Sequence, residues 1–533
     1  MDTGTLNYCW SQTLVAGLQS AGVTHAVISP GSRSTPLALA LLRQPGLNCT
    51  VIVDERCAAF FALGIAKASR QPVVVVATSG SAPANWLPAV IEADQSGVPL
   101  ILISADRPPE LHAVGANQTI DQSRLFAAQA RATHLLATPY PEFDPASLQH
   151  LARQVVESAC WPHPGPVHLN QPFREPLLPT QRIPAKDLPA IAVTRSHLQT
   201  EPDACRQLLD DLHGRRGLII CGELPNGDDD ATAIARLADH LGCAILAEPL
   251  SNLRFGAQRS PAVCANYLQW LPTDAYAEPF RVDWVLRFGS FPVTRKLQNF
   301  LAGIPEQIWI DPWPRISDPQ HRLNRIIRTT PAEFCTTAVA NTAARSDDGL
   351  RSLCLQLDQA AAARHFWPVN ALISAAPGGS TLFIGNSLAI RQLDAASGSG
   401  EQPLHFYGNR GASGIDGNLS TALGIAHARG SVIALVGDLT CQHDIGGLAN
   451  AGGLNAVIVI LNNNGGGIFD TLPQASLPEF ETGWRTPQAL NFSHAARAFG
   501  IGYQVADSEE ALTCALKLAI NSGGPQMIEV RGF

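Results

Sequence analysis

The chain has 533 residues, 46% of them hydrophobic and 15% charged, with 44 Gly and 39 Pro. At roughly 150 residues per domain this predicts three or four globular domains, and it excludes a disordered or coiled-coil chain, which needs far more charge. Lys+Arg total 37 against 45 Asp+Glu, a net charge of −8, which excludes a basic nucleic-acid footprint. No apolar run approaches the roughly 18 residues of a membrane span. Met1-Asp2 opens without the basic and apolar segments of a secretory signal. Twelve Cys are scattered without a Cys-x-x-Cys pair, as in a cytoplasmic protein with reduced thiols.

Strand-like and helical runs alternate along the chain. Residues 25–29 read as a strand, 35–42 as a helix start, 51–53 as a strand and 58–68 as a helix. Residues 73–77, 86–94 and 100–104 repeat the pattern. Such alternation predicts an α/β protein, each domain a mainly parallel sheet flanked by helices. Residues 172–189 carry Pro172, Pro176, Pro179, Pro184 and Pro189 and read as a linker. Residues 218–221, 244–246, 284–288 and 308–310 predict strands of a middle domain, and 340–349 with the polar stretch after it a second joint. The predicted domains are 1–180, 190–345 and 355–533. An internal repeat relates the outer two. Ala62-Leu-Gly-Ile-Ala66 recurs as Ala422-Leu-Gly-Ile-Ala426, and the ungapped match carries 73–76 onto 433–436 and Thr78 onto Asp438. A chance match between Ala-rich helices is the alternative; the continued helix-to-strand register favours a duplicated domain.

Two places offer chemistry. Val436-Gly-Asp438 and Asn462-Asn-Asn-Gly465 each follow or end an apolar run. In a doubly wound sheet both fall at the carboxyl edge, where ligands bind. A carboxylate, an amide oxygen and a backbone carbonyl suit Mg²⁺ that shares its shell with phosphate oxygens. Gly437 and Gly465–Gly467 would let the backbone approach a diphosphate. Two ordinary Gly/Asn-rich turns would carry the same letters. Asp54-Glu55-Arg56 ends the run 51–53 ahead of an apolar helix. Glu55 is either a solvated cap or a buried carboxylate sharing its proton with a ligand nitrogen, its pKa raised by a dry wall.

These features resemble the thiamine-diphosphate enzymes, and among them the 2-succinyl-5-enolpyruvyl-6-hydroxy-3-cyclohexene-1-carboxylate synthase family. The resemblance covers nearly the whole chain and is thin only in the middle domain. It is carried by Ser29-Pro-Gly-Ser-Arg-Ser-Thr-Pro-Leu37, Asp54-Glu-Arg56, Ser104-Ala-Asp-Arg-Pro-Pro-Glu-Leu111 and Gly115-Ala-Asn-Gln118. Gly385-Asn-Ser387, Asn409-Arg-Gly-Ala-Ser-Gly-Ile-Asp-Gly417, Gly437-Asp-Leu-Thr440 with His443-Asp444, and Asn462-Asn-Asn-Gly-Gly-Gly-Ile-Phe469 complete it.

The resemblance implies a pyrimidine-binding, a central and a diphosphate-binding domain. It implies decarboxylation of 2-oxoglutarate on thiamine diphosphate with Mg²⁺ (or Mn²⁺), and addition of the succinyl unit to isochorismate, a step of menaquinone biosynthesis. Glu55 would hold N1′ of the aminopyrimidine. Ile415, which alone would pass for core, would bend the cofactor. Asp438, Asn463 and Gly465 would hold the metal, and Ser32, Gly411, Ser413, Gly437, Leu439, Gly466 and Ile468 would complete the cofactor contacts. Ser387 and Arg391 would face the succinyl carboxylate. Arg33, Arg107, Arg295, Lys296 and Arg410 would face isochorismate, with Asn117 and Gln118 near the reacting carbons. Two dianionic substrates need such cations, and Arg pairs carboxylates bidentately. The family's cofactor lies between subunits, which implies a homodimer or homotetramer. Leu439 replaces the last Gly of the wider Gly-Asp-Gly motif, as this branch commonly does. The chain stops soon after residues 527–530, where the resemblance implies that relatives continue somewhat further, and the C-terminal contribution to the site is left open. The rivals are another thiamine-diphosphate 2-oxoacid decarboxylase or carboligase, and a catalytically silent scaffold. The Arg load argues against the first, and intact Glu55, Asp438 and Asn463 against the second. No Gly-x-Gly-x-x-Gly follows residues 218–221, which argues against a flavin.

Overall fold

The computed structural model describes residues 1–181, 190–196, 198–224, 227–256, 259–275, 278–347, 349–361 and 364–533. Its strands fall into three six-stranded sheets, parallel throughout. The first contains β1 (His25–Ile28), β2 (Asn48–Val51), β3 (Val73–Ala77), β4 (Leu100–Asp106), β5 (Ala132–Leu135) and β6 (Pro166–Pro172), in the order β2-β1-β3-β4-β6-β5. The second contains β7 (Gly217–Cys221), β8 (Ala244–Ala247), β9 (Val263–Cys264), β10 (Trp284–Phe288), β11 (Glu306–Ile310) and β12 (Arg325–Ile327). The third contains β13 (Ser380–Ile384), β14 (Leu404–Gly408), β15 (Ser431–Gly437), β16 (Asn455–Leu461), β17 (Gly502–Ala506) and β18 (Pro525–Val530), in the order β14-β13-β15-β16-β18-β17. Strand for strand, that is the order of the first sheet. The middle sheet runs β9-β8-β7-β10-β11-β12, the doubly wound order of dinucleotide-binding sheets. Central strands such as β3 are apolar at every position because helices cover both faces.

The repeated Ala-Leu-Gly-Ile-Ala segments lie on the helices Glu55–Ser69 and Asn418–Arg429, which pack against each other in one core shared by the outer domains. A Cβ on Gly64 would stand 2.1 Å from the Thr421 carbonyl oxygen, and one on Gly424 2.0 Å from that of Phe61. The repeat is therefore a crossing point where two backbones touch.

Three details depart from the sequence reading. The strand before Glu55 is Asn48–Val51, not 51–53; Val51 is 53% and Val53 79% exposed. The chain turns there because the Asp54 carboxylate caps the next helix, accepting the Arg56 N–H at 2.9 Å. Pro172 closes β6 and is buried rather than opening a linker, and residues 182–189 of that linker lie outside the described residues. The helix Leu350–Ala360 puts Leu350 and Cys354 into the middle-domain core, so the second joint comes later than composition suggests. None of the twelve Cys forms a disulfide, and among the described residues no helix is long and apolar enough to cross a membrane.

Candidate active site

Loops leaving the carboxyl ends of β13 to β16 enclose a pocket lined by Asn386, Ser387, Ile415, Asp438, Asn463 and Phe469, among others, all from residues 386–533. Asp438 starts the helix Asp438–His443 and is buried. One of its oxygens accepts the Gly465 N–H at 2.7 Å and the other the Leu439 N–H at 2.9 Å. Burial nevertheless raises its carboxyl pKa, outweighing those hydrogen bonds. Asn463 Oδ1 is buried without a protein partner. A buried carboxylate and an orphaned amide oxygen are what a hard cation would satisfy. Gly465 has φ +120°, and a Cβ there would stand 2.1 Å from the Arg485 carbonyl oxygen, so this turn requires glycine. The residues present thus fit a Mg²⁺–diphosphate unit, with Ile415, Leu439 and Ile468 as apolar wall.

Of the predicted cofactor residues, Ile415, Gly437, Asp438, Leu439, Asn463, Gly465, Gly466 and Ile468 line this one pocket. Gly411 and Ser413 do not line it; their N–H groups point at the Glu92 carboxylate. Ser32 is exposed in the first domain. Glu55 is half-buried at its helix start and lies outside the pocket lining. The dry wall expected around it is not supplied by this chain alone.

The predicted cations separate into three groups. Arg391 Nη1 donates to the Ser387 carbonyl at 2.5 Å, and Arg410 Nη1 donates to Asn386 Oδ1 at 2.6 Å. Asn386 in turn donates to the carbonyls of Asn409 and Gly414 at 2.7 and 2.6 Å. Desolvation lowers the Arg391 pKa, and the nearby Arg410 charge lowers it further. Within the chain Arg410 therefore stands beside Arg391 and apart from Arg33 and Arg107; Asn386 ties the two loops together. In the first domain, Arg33 donates to the Phe173 carbonyl at 3.0 Å and to Glu175 at 2.8 Å. Arg107 donates to the Ser79 hydroxyl and to the Gln118 carbonyl, while Gln118 Nε2 donates to the Ser79 carbonyl at 3.0 Å. Asn117 is exposed beside them. Arg295 and Lys296 are exposed at the start of the helix Arg295–Ala302, where Lys296 Nζ donates to the Leu268 carbonyl at 2.8 Å; the structure brings them to neither cluster. Among the described residues, Arg107, Arg391 and Arg410 are half-buried and have no ion-pair partner.

Backbone strain gathers here too. Gln118, Ser387, Ser413 and Asn464 hold positive φ values of 54, 67, 63 and 58°, and such residues cluster at functional sites. Sequence reasoning assigned no role to Asn386, although it sits inside a matched string. At the C-terminus, which the sequence left open, Phe533 lines the pocket and stacks edge-on against Phe366 at 5.6 Å. Glu92, on the helix Leu87–Ser96, stands in none of the matched strings.

Family models of thiamine pyrophosphate enzymes match all three domains. The N-terminal TPP binding domain matches residues 10–125, the middle domain 190–365, and the C-terminal TPP binding domain 392–530. A solved benzoylformate decarboxylase from Polynucleobacter necessarius shares the fold, with a TM-score of 0.75 over 98% of both chains at 16% identity. Fold and pocket thus define a thiamine pyrophosphate enzyme. A relative from Dechloromonas aromatica (strain RCB) is 52% identical over 99% of both chains. One from Geobacillus thermodenitrificans is 40% identical over 97% of this chain and 92% of its own, and one from Haloarcula marismortui 36% over 100% and 96%. Each of the three is a 2-succinyl-5-enolpyruvyl-6-hydroxy-3-cyclohexene-1-carboxylate synthase, and the chain belongs to that family.

Proposed function

We propose that the protein uses thiamine diphosphate and Mg²⁺ to decarboxylate 2-oxoglutarate and adds the succinyl unit to isochorismate, giving 2-succinyl-5-enolpyruvyl-6-hydroxy-3-cyclohexene-1-carboxylate and CO₂. The carrying observation is that Arg391 and Arg410 stand half-buried around the loops that line the cofactor pocket, with no carboxylate in ion-pair contact among the described residues. Partly desolvated guanidinium groups favour a carboxylate, and a small apolar oxoacid would leave them unpaired.

When bound, thiamine diphosphate supplies the electron sink for decarboxylation. The chain binds and orients. Asp438, Asn463 and the Gly465 carbonyl would hold Mg²⁺ with the diphosphate, and Ile415 would pack against the cofactor. Ser387, Arg391 and Arg410 hold the distal carboxylate of 2-oxoglutarate. Arg33, Arg107, Asn117 and Gln118 receive isochorismate. Glu55 would hold a proton at N1′ of the aminopyrimidine. Glu55 and Asp438 belong to one site only if two chains associate, each giving its first domain to the other's third. The exposed Val51 and Val53 beside Glu55 are apolar surface for such an interface.

Purified protein is assayed with thiamine diphosphate, Mg²⁺, 2-oxoglutarate and isochorismate. Loss of isochorismate absorbance that requires all four supports the reading. Turnover of apolar 2-oxoacids in place of 2-oxoglutarate would replace it with a general decarboxylase.

A further inference from the structure

Two buried side chains of the first domain grip the loop of the third domain that carries Arg410. Glu92, on the helix Leu87–Ser96, is 2% exposed. Its Oε1 accepts the Gly411 N–H at 2.9 Å, and its Oε2 accepts the N–H groups of Ala412 at 2.7 Å and Ser413 at 3.4 Å. Lys67 Nζ donates to the Gly408 carbonyl at 2.6 Å and lies 3.4 Å from Glu92 Oε1. Gly411 permits the approach: a Cβ there would stand 2.7 Å from the Glu92 carbonyl oxygen and 2.8 Å from Ser96 N. The middle domain reaches the same place. Glu223, just past β7, lies within electrostatic range of Lys67, Glu92 and Arg410.

The placement is asymmetric in a useful way. Lys67 fixes the carbonyl on one side of Arg410, and Glu92 fixes three successive N–H groups on the other. Charge-assisted hydrogen bonds of this kind are short and strong. Arg410 then has little freedom except at its side chain, which reaches Asn386. Two residues beyond the clamp, Ile415 enters the pocket wall.

We propose that Glu92, backed by Lys67, is a positioning residue that presents Arg410 to the substrate carboxylate beside Arg391. This rests on the reading of Arg410 as a substrate-binding residue. The first domain then has two tasks: it lends Glu55 to another chain's site and shapes the substrate side of its own chain's pocket.

Full-length Glu92→Gln and Glu92→Asp are compared with wild type and with Arg410→Ala. The readouts are KM and kcat for each substrate, the melting midpoint, and its shift on adding thiamine diphosphate with Mg²⁺. Gln keeps the shape but sets an NH₂ against a backbone N–H, leaving a buried donor unsatisfied. The KM for 2-oxoglutarate is expected to rise by at least about tenfold in Glu92→Gln, since misplaced binding groups lose substrate orientation. The isochorismate KM should move by less than about threefold, and the cofactor-induced shift should persist. Glu92→Asp, which keeps the charge but is one methylene short, should give a smaller rise in the same direction. A 2-oxoglutarate KM within about threefold of wild type in a folded variant overturns the proposal. So does a fall in kcat that only tracks loss of folded protein. If Glu92→Gln does not fold, Glu92→Asp is judged by the same criterion; if neither folds, Glu92 is a structural tie and the proposal fails. An unchanged KM in Arg410→Ala overturns the reading of Arg410 instead, and separates that failure from a failure of the clamp.

Discussion

Among the described residues, the buried Asn463 Oδ1 has no hydrogen-bond donor, and the buried Asp438 carboxylate accepts the backbone N–H groups of Leu439 and Gly465. Asp438→Ala is expected to abolish the rise in melting midpoint caused by thiamine diphosphate with Mg²⁺. In the wild type that stabilisation should reach about 2.7 kcal/mol at a hundredfold excess over Kd. A retained shift would place the metal elsewhere. Glu55→Gln should keep the shift and lose turnover by about 100-fold or more, because an amide holds N1′ without sharing a proton; near-normal exchange of the cofactor C2 proton would reassign Glu55. His168 offers a pH test. It is fully buried, Nε2 lies 2.8 Å from Ser104 Oγ, and Nδ1 has no partner. Burial, with repulsion from His134, pushes its pKa down to about 4. As pH falls, the unfolded chain therefore takes up this proton before the folded one does. The contribution is complete above about pH 6.5 and is lost towards pH 4, up to about 3 kcal/mol in all. His168→Asn should be less stable at pH 7.5 but flatter between those limits, read from urea midpoints at several pH values; an equal slope would discount His168. That Asp438, Asn463 and Gly465 come together in one pocket was legible in the sequence because they sit at the ends of unmistakable apolar strands. The pairing of Arg410 with Arg391 was not, since it depends on Asn386 joining loops from two strands.

At the scale of elements, apolar runs identified the central strands because parallel sheets bury both strand faces. The same rule misled at residues 51–53, whose valines are apolar yet exposed. The repeat was legible as a repeat, but its reason was not: two glycines at a helix crossing. Gly64→Ala should cost about 1–3 kcal/mol by driving a methyl into the Thr421 carbonyl. Gly452→Ala, where a Cβ meets nothing within 4 Å, serves as the control and should be near neutral in urea titrations. Equal midpoints for the two variants would refute the tight crossing.

Across the whole molecule, three domains were legible from alternation and punctuation. The second joint was misplaced because the helix Leu350–Ala360 shows a largely polar face and buries only Leu350 and Cys354. Neither the Glu92 clamp nor the role of Phe533 leaves a trace in local sequence, because both are contacts between segments far apart in the chain. The proposed exchange of domains between subunits has a quantitative test. Mixing Glu55→Gln with Asp438→Ala chains leaves each mixed dimer with one intact site. Random reassociation of two individually inactive proteins should then restore about a quarter of wild-type activity, since about half the dimers are mixed. No recovery after verified subunit exchange would mean that each chain builds its own site.

The matching strand order of the outer sheets carries a consequence for descent. The position after β15 holds Asp438, whereas the matching position after β3 holds Thr78. Two identical ancestral chains would have had to carry every substitution twice, once on each side of their contact. Joined in tandem, the copies were free to specialise, one keeping Glu55 at a helix start and the other the loop that carries Asp438. That freedom stops at the crossing, where Gly64 faces Thr421 and Gly424 faces Phe61. There the two halves still answer to each other, and drift in one is limited by the backbone of its twin.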